Sequence, residues 1–300
     1  MKPLWKTALW MSLLGLPQLL WAAAPVATAT IVDGEVLVIR EAKRLQLAEG
    51  VRLGKDDIVE ATAKSRFVRI EFSDGVILDL GPESRVLLSP KLAGDRASLS
   101  ARLYLLSGVA KITVPHPQDA TPAVLTSPAL DVLGMARSAV FIVQNNDAYG
   151  FAESGEVVLQ ERRGGKVNSN ITLKSGEFFA RADDAKPTVT ARPSPAFIQR
   201  LPRAFLDTLP SRAALFKARE VEPKPLGSIA YADVDAWVDA DGLRPLFLTR
   251  WKALAQDPEF RKGLLANLRA HPEWDRTLNP EKYRPKQASA GDTSPRPAKP

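Results

Sequence analysis

The strongest constraint on this chain is a succession of short apolar runs between Ala29 and Thr190, separated by Gly and Asp turns. Glu35–Ile39, Phe67–Phe72, Val76–Leu80, Leu103–Leu106, Ala110–Val114, Val140–Val143, Glu156–Leu159 and Ile171–Leu173 are rich in Val, Ile, Leu and Phe. Where polar residues intervene they alternate with period two, the spacing of a half-buried strand. Proline is rare inside the runs and common between them, as a sheet requires. Nothing in this region sustains a helical period for three turns. Ser-Gly or Asp-Gly steps precede several runs, and Gly108, Gly155 and Gly176 join Asp57, Asp74 and Gly75 as predicted turn formers. The region therefore reads as an all-β domain over 29–190. One reading is a set of generic hairpins; the favoured one is a sandwich or β-roll whose coils stack two strands at a time.

After Pro187 the texture changes. A Pro-rich, basic stretch over 191–227 carries Phe205, Leu206, Leu215 and Phe216 among its prolines. A free linker would lack those aliphatic and aromatic side chains, so a strap packed on the β domain is expected. Residues 228–283 read as a small helical unit. Val234, Trp237 and Val238 share one helical face; Phe247, Trp251 and Leu254 follow at i, i+4 and i+7. Asp257-Pro258-Glu259 supplies an N-cap, a first-turn proline and a first-turn acid for a further helix. So small a unit has little core of its own and is expected to dock on the β domain. Residues 284–300, rich in Pro, Ser, Ala and Lys/Arg, read as a disordered tail.

The N-terminus reads as an export signal. Lys2 and Lys6 precede an apolar run from Ala8 to Trp21, and Ala22, Ala23 and Ala24 offer a small-residue cleavage site. The signal spans 1–24, with cleavage as late as residue 29 through Ala27-Thr28-Ala29; an uncleaved anchor is the alternative. The run falls short of the roughly 20 residues of a transmembrane helix. The mature chain is expected in a bacterial periplasm or outside the cell.

The order of motifs resembles the FecR domain, the periplasmic module of iron-uptake regulators and of other exported bacterial proteins. The resemblance rests on Gly50–Ile58, on Ser65–Leu80 with its Ser73-Asp74-Gly75 turn, and on Pro82-Glu83-Ser84. It continues through Leu105–Gly108, Thr126–Gly134 leading into Phe141–Val143, Glu153–Val157 and Leu173–Glu177. It covers roughly residues 45–182. The family's Gly-Asp stands here as Asp56-Asp57, its Thr as Ala61, and its Gly-Thr-x-Phe segment as Gly134–Phe141. The resemblance implies a non-catalytic module and an envelope partner, such as the signalling domain of a TonB-dependent receptor. Only seven residues precede the apolar run, which leaves no room for the cytoplasmic sigma-binding segment of such a regulator.

Chemistry is sparse. The chain has no Cys and two His, which excludes disulfides, thiolate metal sites and a His-rich metal centre. His116 lies in a loop and His271 at a helix end. No nucleophile elbow, P-loop or dinucleotide fingerprint is present. Asp56-Asp57 and the acids from Asp233 to Asp241 read as turn and capping residues, not as Ca²⁺ ligands. No enzyme activity, metal or cofactor is expected. The net charge of +7 suggests an anionic partner, but it is unevenly spread. Residues 190–224 hold seven basic and three acidic side chains, whereas 25–189 hold 20 and 21 and 225–283 hold eight and nine. Nucleic acid is therefore not indicated for the folded parts. An acidic partner or lipid surface would meet the strap, through Arg200, Arg203, Arg212, Lys217 and Arg219. Three functions follow in order of preference: an exported interaction protein that presents an edge strand or a sheet face to a partner, a peptidoglycan- or polysaccharide-binding module, and an envelope hydrolase with an unrecognised acidic site.

Overall fold

The computed structural model describes residues 24–115, 125–183, 185–240 and 242–284. The expected signal peptide, His116, Asp241 and the C-terminal tail from residue 285 lie outside the described residues, wholly or nearly so.

Among the described residues, eighteen strands make up the β part. The first nine are β1 (Ala27–Asp33), β2 (Val36–Arg40), β3 (Lys43–Gln46), β4 (Arg52–Leu53), β5 (Ile58–Ala61), β6 (Phe67–Phe72), β7 (Ile77–Leu80), β8 (Arg85–Leu88) and β9 (Leu103–Thr113). Then follow β10 (Leu125–Thr126), β11 (Leu130–Met135), β12 (Ser138–Gln144), β13 (Asp147–Ser154), β14 (Val157–Arg163), β15 (Lys166–Leu173), β16 (Phe178–Arg181), β17 (Thr188–Thr190) and β18 (Lys224–Ser228). Sheet I runs β4-β1-β6-β7-β9-β12-β13-β16-β17. Sheet II runs β18-β3-β2-β5-β8-β9-β10-β11-β14-β15. Among the described residues every pairing of these strands is antiparallel except β9 with β10.

The chain lays down its strands mostly in pairs that alternate between the sheets. β6 and β7 lie in sheet I, β10 and β11 in sheet II, β12 and β13 in sheet I, β14 and β15 in sheet II, and β16 and β17 in sheet I. The result is a curled, mainly antiparallel half-barrel whose two layers stack strand pairs.

One strand joins the layers. Residues 103–107 of β9 pair with β8 in sheet II, and residues 108–113 pair with β7 and β12 in sheet I. The sequence suggested two strands with a turn at Ser107-Gly108; the structure shows one eleven-residue strand. Gly108 is therefore not a hairpin turn but the crossing point, with φ of +106°. A Cβ there would overlap Ser84, whose hydroxyl accepts from Val109 N (2.9 Å) and donates to Val109 O (3.0 Å). A side chain at 108 would meet both a left-handed backbone and a filled site.

Alternation then sorts side chains to the two faces of each sheet. Val38, Val59, Ile70, Leu78, Val86, Leu105, Ile112, Phe141, Leu159 and Phe179 point between the layers and form the main core. β1 begins at Ala27, earlier than the predicted domain start at residue 29. Val26 N bonds Leu53 O (2.8 Å), and Ala27 and Ala29 are buried. Cleavage after Ala29 would remove the first half of that strand.

Each outer face has its own cover. On sheet II, Ile39, Ile58, Leu87 and Tyr104 meet the C-terminal helices. These are α2 (Asp235–Val238), α3 (Arg244–Trp251), α4 (Pro258–Ala266) and α5 (Asp275–Leu278), joined by 3-10 turns. α4 starts where the sequence indicated: Asp257 caps it by accepting from Phe260 N (2.9 Å), with Pro258 in the first turn. On sheet I, Phe67, Val140, Ile142 and Phe178 meet Phe197 and Phe205 of the strap. The strap opens with a short helix, α1 (Pro195–Gln199), capped by Ser194.

Candidate functional site

The carboxylates singled out from the sequence are held by the fold. Asp57 is buried; it accepts Gly54 N (2.8 Å) and takes a two-pronged contact from Arg40, with Nε at 2.9 Å and Nη2 at 2.7 Å. Asp74 lies in the turn between β6 and β7, accepts Val76 N (3.3 Å) and pairs with Arg102 (2.6 Å). Gly75, beside it, has φ of +88°; Gly155 and Gly176, between later strands, have +77° and +86°. Asp233 accepts Ala230 N (2.7 Å) and pairs with Arg44 (2.6 Å), which ties the helical unit to β3. Among the described residues no three His, Asp or Glu side chains gather as metal ligands would.

Asp56 stands apart. Its φ is +63° and burial raises its carboxyl above the usual value, against the pull of Arg250. It lines an open cleft of about 890 Å³ where the β domain, the strap end and α3 meet, with Arg40, Lys55, Glu222 and Arg250 around it. The cleft's arginines are already committed. Arg52 donates to Thr28 Oγ1 and Phe216 O (2.6 Å each). Arg250 donates to Asp56 O (2.6 Å), Ile39 O (3.2 Å) and Glu41 O (3.3 Å). Neighbouring Trp251 adds Nε1 to Glu41 O (2.9 Å). The cleft is a docking joint for α3, which Arg250 and Trp251 fasten to backbone carbonyls of Ile39, Glu41 and Asp56.

His271 is also structural. It is fully buried, with Nδ1 against Asp239 Oδ1 (2.7 Å) and Nε2 against Leu264 O (3.1 Å). Trp237, Trp251 and Trp274 are at most 1% exposed. Trp237 donates to Glu60 Oε1 (2.8 Å). None of these rings offers a platform for a sugar.

The outer face of sheet I carries the feature the sequence reading missed. Arg69, Glu71 and Asp79 all point away from the main core, and all are buried. Arg69 forks onto Asp79 (2.7 and 2.8 Å) and gives Nη1 to Leu209 O (2.8 Å). Lys111 donates to Phe205 O (2.7 Å). Glu71 receives the Thr30 hydroxyl (2.7 Å), the Ser211 hydroxyl, Arg212 N (2.8 Å) and Ala213 N (3.2 Å). Burial opposes the Glu71 carboxylate, but these donors outweigh it and hold the carboxyl below its usual value. The signal was present in Phe67-Val-Arg-Ile-Glu-Phe72: charges at period two on a strand whose other face is apolar.

The strap's basic residues divide. Arg212 reaches Glu49 (3.2 Å), and Arg200 reaches Gln144 (2.7 Å) and lies over the Tyr149 ring. Arg203, Lys217 and Arg219 are exposed. The two sheets also present edges. β18, with Pro225 and a bulge, covers the edge of β3. At the opposite edge of sheet II, β15 pairs with β14 alone among the described residues, and most of its eight residues are exposed.

No family model and no curated protein matches the chain. Among solved structures it is similar to two crystal structures, at 1.65 and 2.50 Å, of a candidate anti-sigma factor from Parabacteroides distasonis ATCC 8503. Identities are 13% and 12%, each with a TM-score of 0.35. The match covers 45% of this chain and 59% of the other, so the chain spans little more than half the length of that protein. No helix of the described residues is long and apolar enough to cross a membrane.

Proposed function

We propose that the chain is an exported, non-catalytic, FecR-like interaction module of a bacterial envelope that takes a protein partner by strand addition. The observation that carries this reading is β15, an eight-residue outer strand with one edge unpaired among the described residues. Strand addition draws affinity from main-chain hydrogen bonds and leaves little trace in side-chain chemistry, which suits a chain whose acids serve turns and ion pairs. Lys166, Asn168 and Asn170 give the edge a polar character that resists indiscriminate pairing. The motif order supports the FecR-like reading, and the leader sequence supports the envelope address.

The test is a photo-crosslinking amino acid at position 168 or 170 of the mature protein, compared with one at position 256 on the helical unit. One envelope protein crosslinked from the β15 positions and not from position 256 is expected. Identical products from both, or none from β15, would overturn the reading.

A further inference from the structure

We infer that the outer side of the strap is a docking surface for an anionic lipid bilayer. This goes beyond strand addition and uses the opposite side of the molecule from the helical unit.

The strap is a single layer. Phe197 packs on Tyr149, Phe151 and Phe178 near one end of sheet I. Phe205 packs on Phe67, Leu209 O is held by Arg69, and Phe216 O by Arg52. From β16 to β1 this path crosses six strand spacings, roughly 30 Å at about 4.8 Å each. Side chains that turn away from the sheet along that path lie on the outer side of sheet I.

Two kinds of side chain turn away. Ile198, Leu206 and Leu215 are 37, 61 and 67% exposed, the latter two the most exposed large apolar residues described. Each stands two or three residues from a cation: Ile198 by Arg200, Leu206 by Arg203, Leu215 by Lys217. Residues 191–219 contain six basic side chains and one acid, Asp207. Scattered aliphatics interleaved with flexible cations match a headgroup layer, where the cations meet phosphates and the aliphatics reach the acyl boundary. A folded acidic protein would instead call for a shaped groove or fixed ion-pair geometry. The strap provides neither: its anchors face inward, and Arg203, Lys217 and Arg219 are exposed.

The experiment is flotation of the mature protein with vesicles of phosphatidylcholine containing phosphatidylglycerol, against phosphatidylcholine alone. Binding to the anionic vesicles, lost at high salt, is expected. Arg203→Glu/Lys217→Glu/Arg219→Glu should weaken it at least about tenfold. Replacing the four basic residues of the tail, Arg284, Lys286, Arg296 and Lys299, by Gln should leave most of it. No binding to anionic vesicles, or loss only in the tail variant, overturns the inference. Binding to polyglutamate but not to vesicles would assign the surface to an acidic protein and overturn it as well. Because the chain has no Cys, single labels test geometry without removing charge. An environment-sensitive dye on Leu215→Cys should shift to the blue on anionic vesicles, and the same dye on Leu265→Cys of α4 should not. The reverse pattern contradicts the inference.

Discussion

The strap and the helical unit do the same job on opposite faces, yet they are built differently. Sheet II offers Ile39, Ile58, Leu87 and Tyr104, an apolar face that a helix can cover with its own backbone satisfied internally. Three buried Trp and Phe247 answer it, with Phe247 and Trp251 stacked at 4.5 Å. Sheet I offers Arg69, Glu71, Asp79 and Lys111 on the half nearest β1. Buried charges need partners, and a helix has few backbone groups to spare. An irregular strap has many, and gives up Phe205 O, Leu209 O, Arg212 N and Ala213 N. Over these two patches the cover matches the polarity beneath it: helices on the apolar one, an irregular strap on the charged one. The strap, one layer thick, is left with aliphatic and basic side chains in solvent.

That contrast can be broken by substitution, beginning inside the helical unit. Trp237→Ala should lower global stability by about 3–5 kcal/mol, read as a shifted denaturant midpoint seen by every probe. Glu71→Gln should cost about 2–3 kcal/mol but act locally, because Ser211, Arg212 and Ala213 lose a charged acceptor. Trypsin cleavage at Arg203, Arg212 or Lys217 should accelerate while the midpoint of the helical unit holds. Equal loss of both regions would sink the idea that the strap is separately held. Acid should mimic this change. The Glu71 carboxyl is depressed in the fold, so its contribution is full above the ordinary glutamate value of 4.5 and is lost as pH falls through the lower folded value. Cleavage of the strap by an acid protease should rise over that window, and Glu71→Gln should flatten the rise. Gly263→Ala should cost about 1–3 kcal/mol, since a Cβ on that face of α4 would run into the Tyr231 ring; a neutral melt would show the helices are loosely packed. Leu215→Ser should change stability by no more than about 0.5 kcal/mol, the mark of an outward-facing residue.

Much of this plan is legible in the residues. Alternation in Phe67–Phe72, the Ser73-Asp74-Gly75 step and the Asp257-Pro258 cap each signal their local structure, because the cause lies within a few residues. The apolar spacing of Trp237, Phe247 and Trp251 likewise announces a buried face. What sequence reading missed depends on distant partners. β18 contains Pro225 and is short and exposed, so only the β3 edge makes it a strand. Gly108 resembles other Ser-Gly turns, and only pairing to β7 and β12 on one side of it and β8 on the other reveals a crossing. Among the candidate site residues, Asp57 and Asp74 could be read as turn formers from their neighbours. Glu71 could not be read as the strap's anchor, since its strap donors lie some 140 residues away. The free edge of β15 is likewise a property of topology.

Native-state hydrogen exchange of the mature protein separates the two covers, because both are read in one experiment. The strap's separate hold on sheet I predicts that its amides over 195–217 open at a free energy well below the global value. Those of α3, α4 and β9 should exchange only with global unfolding. Helical-unit amides that exchange as early as the strap's, or earlier, would contradict it.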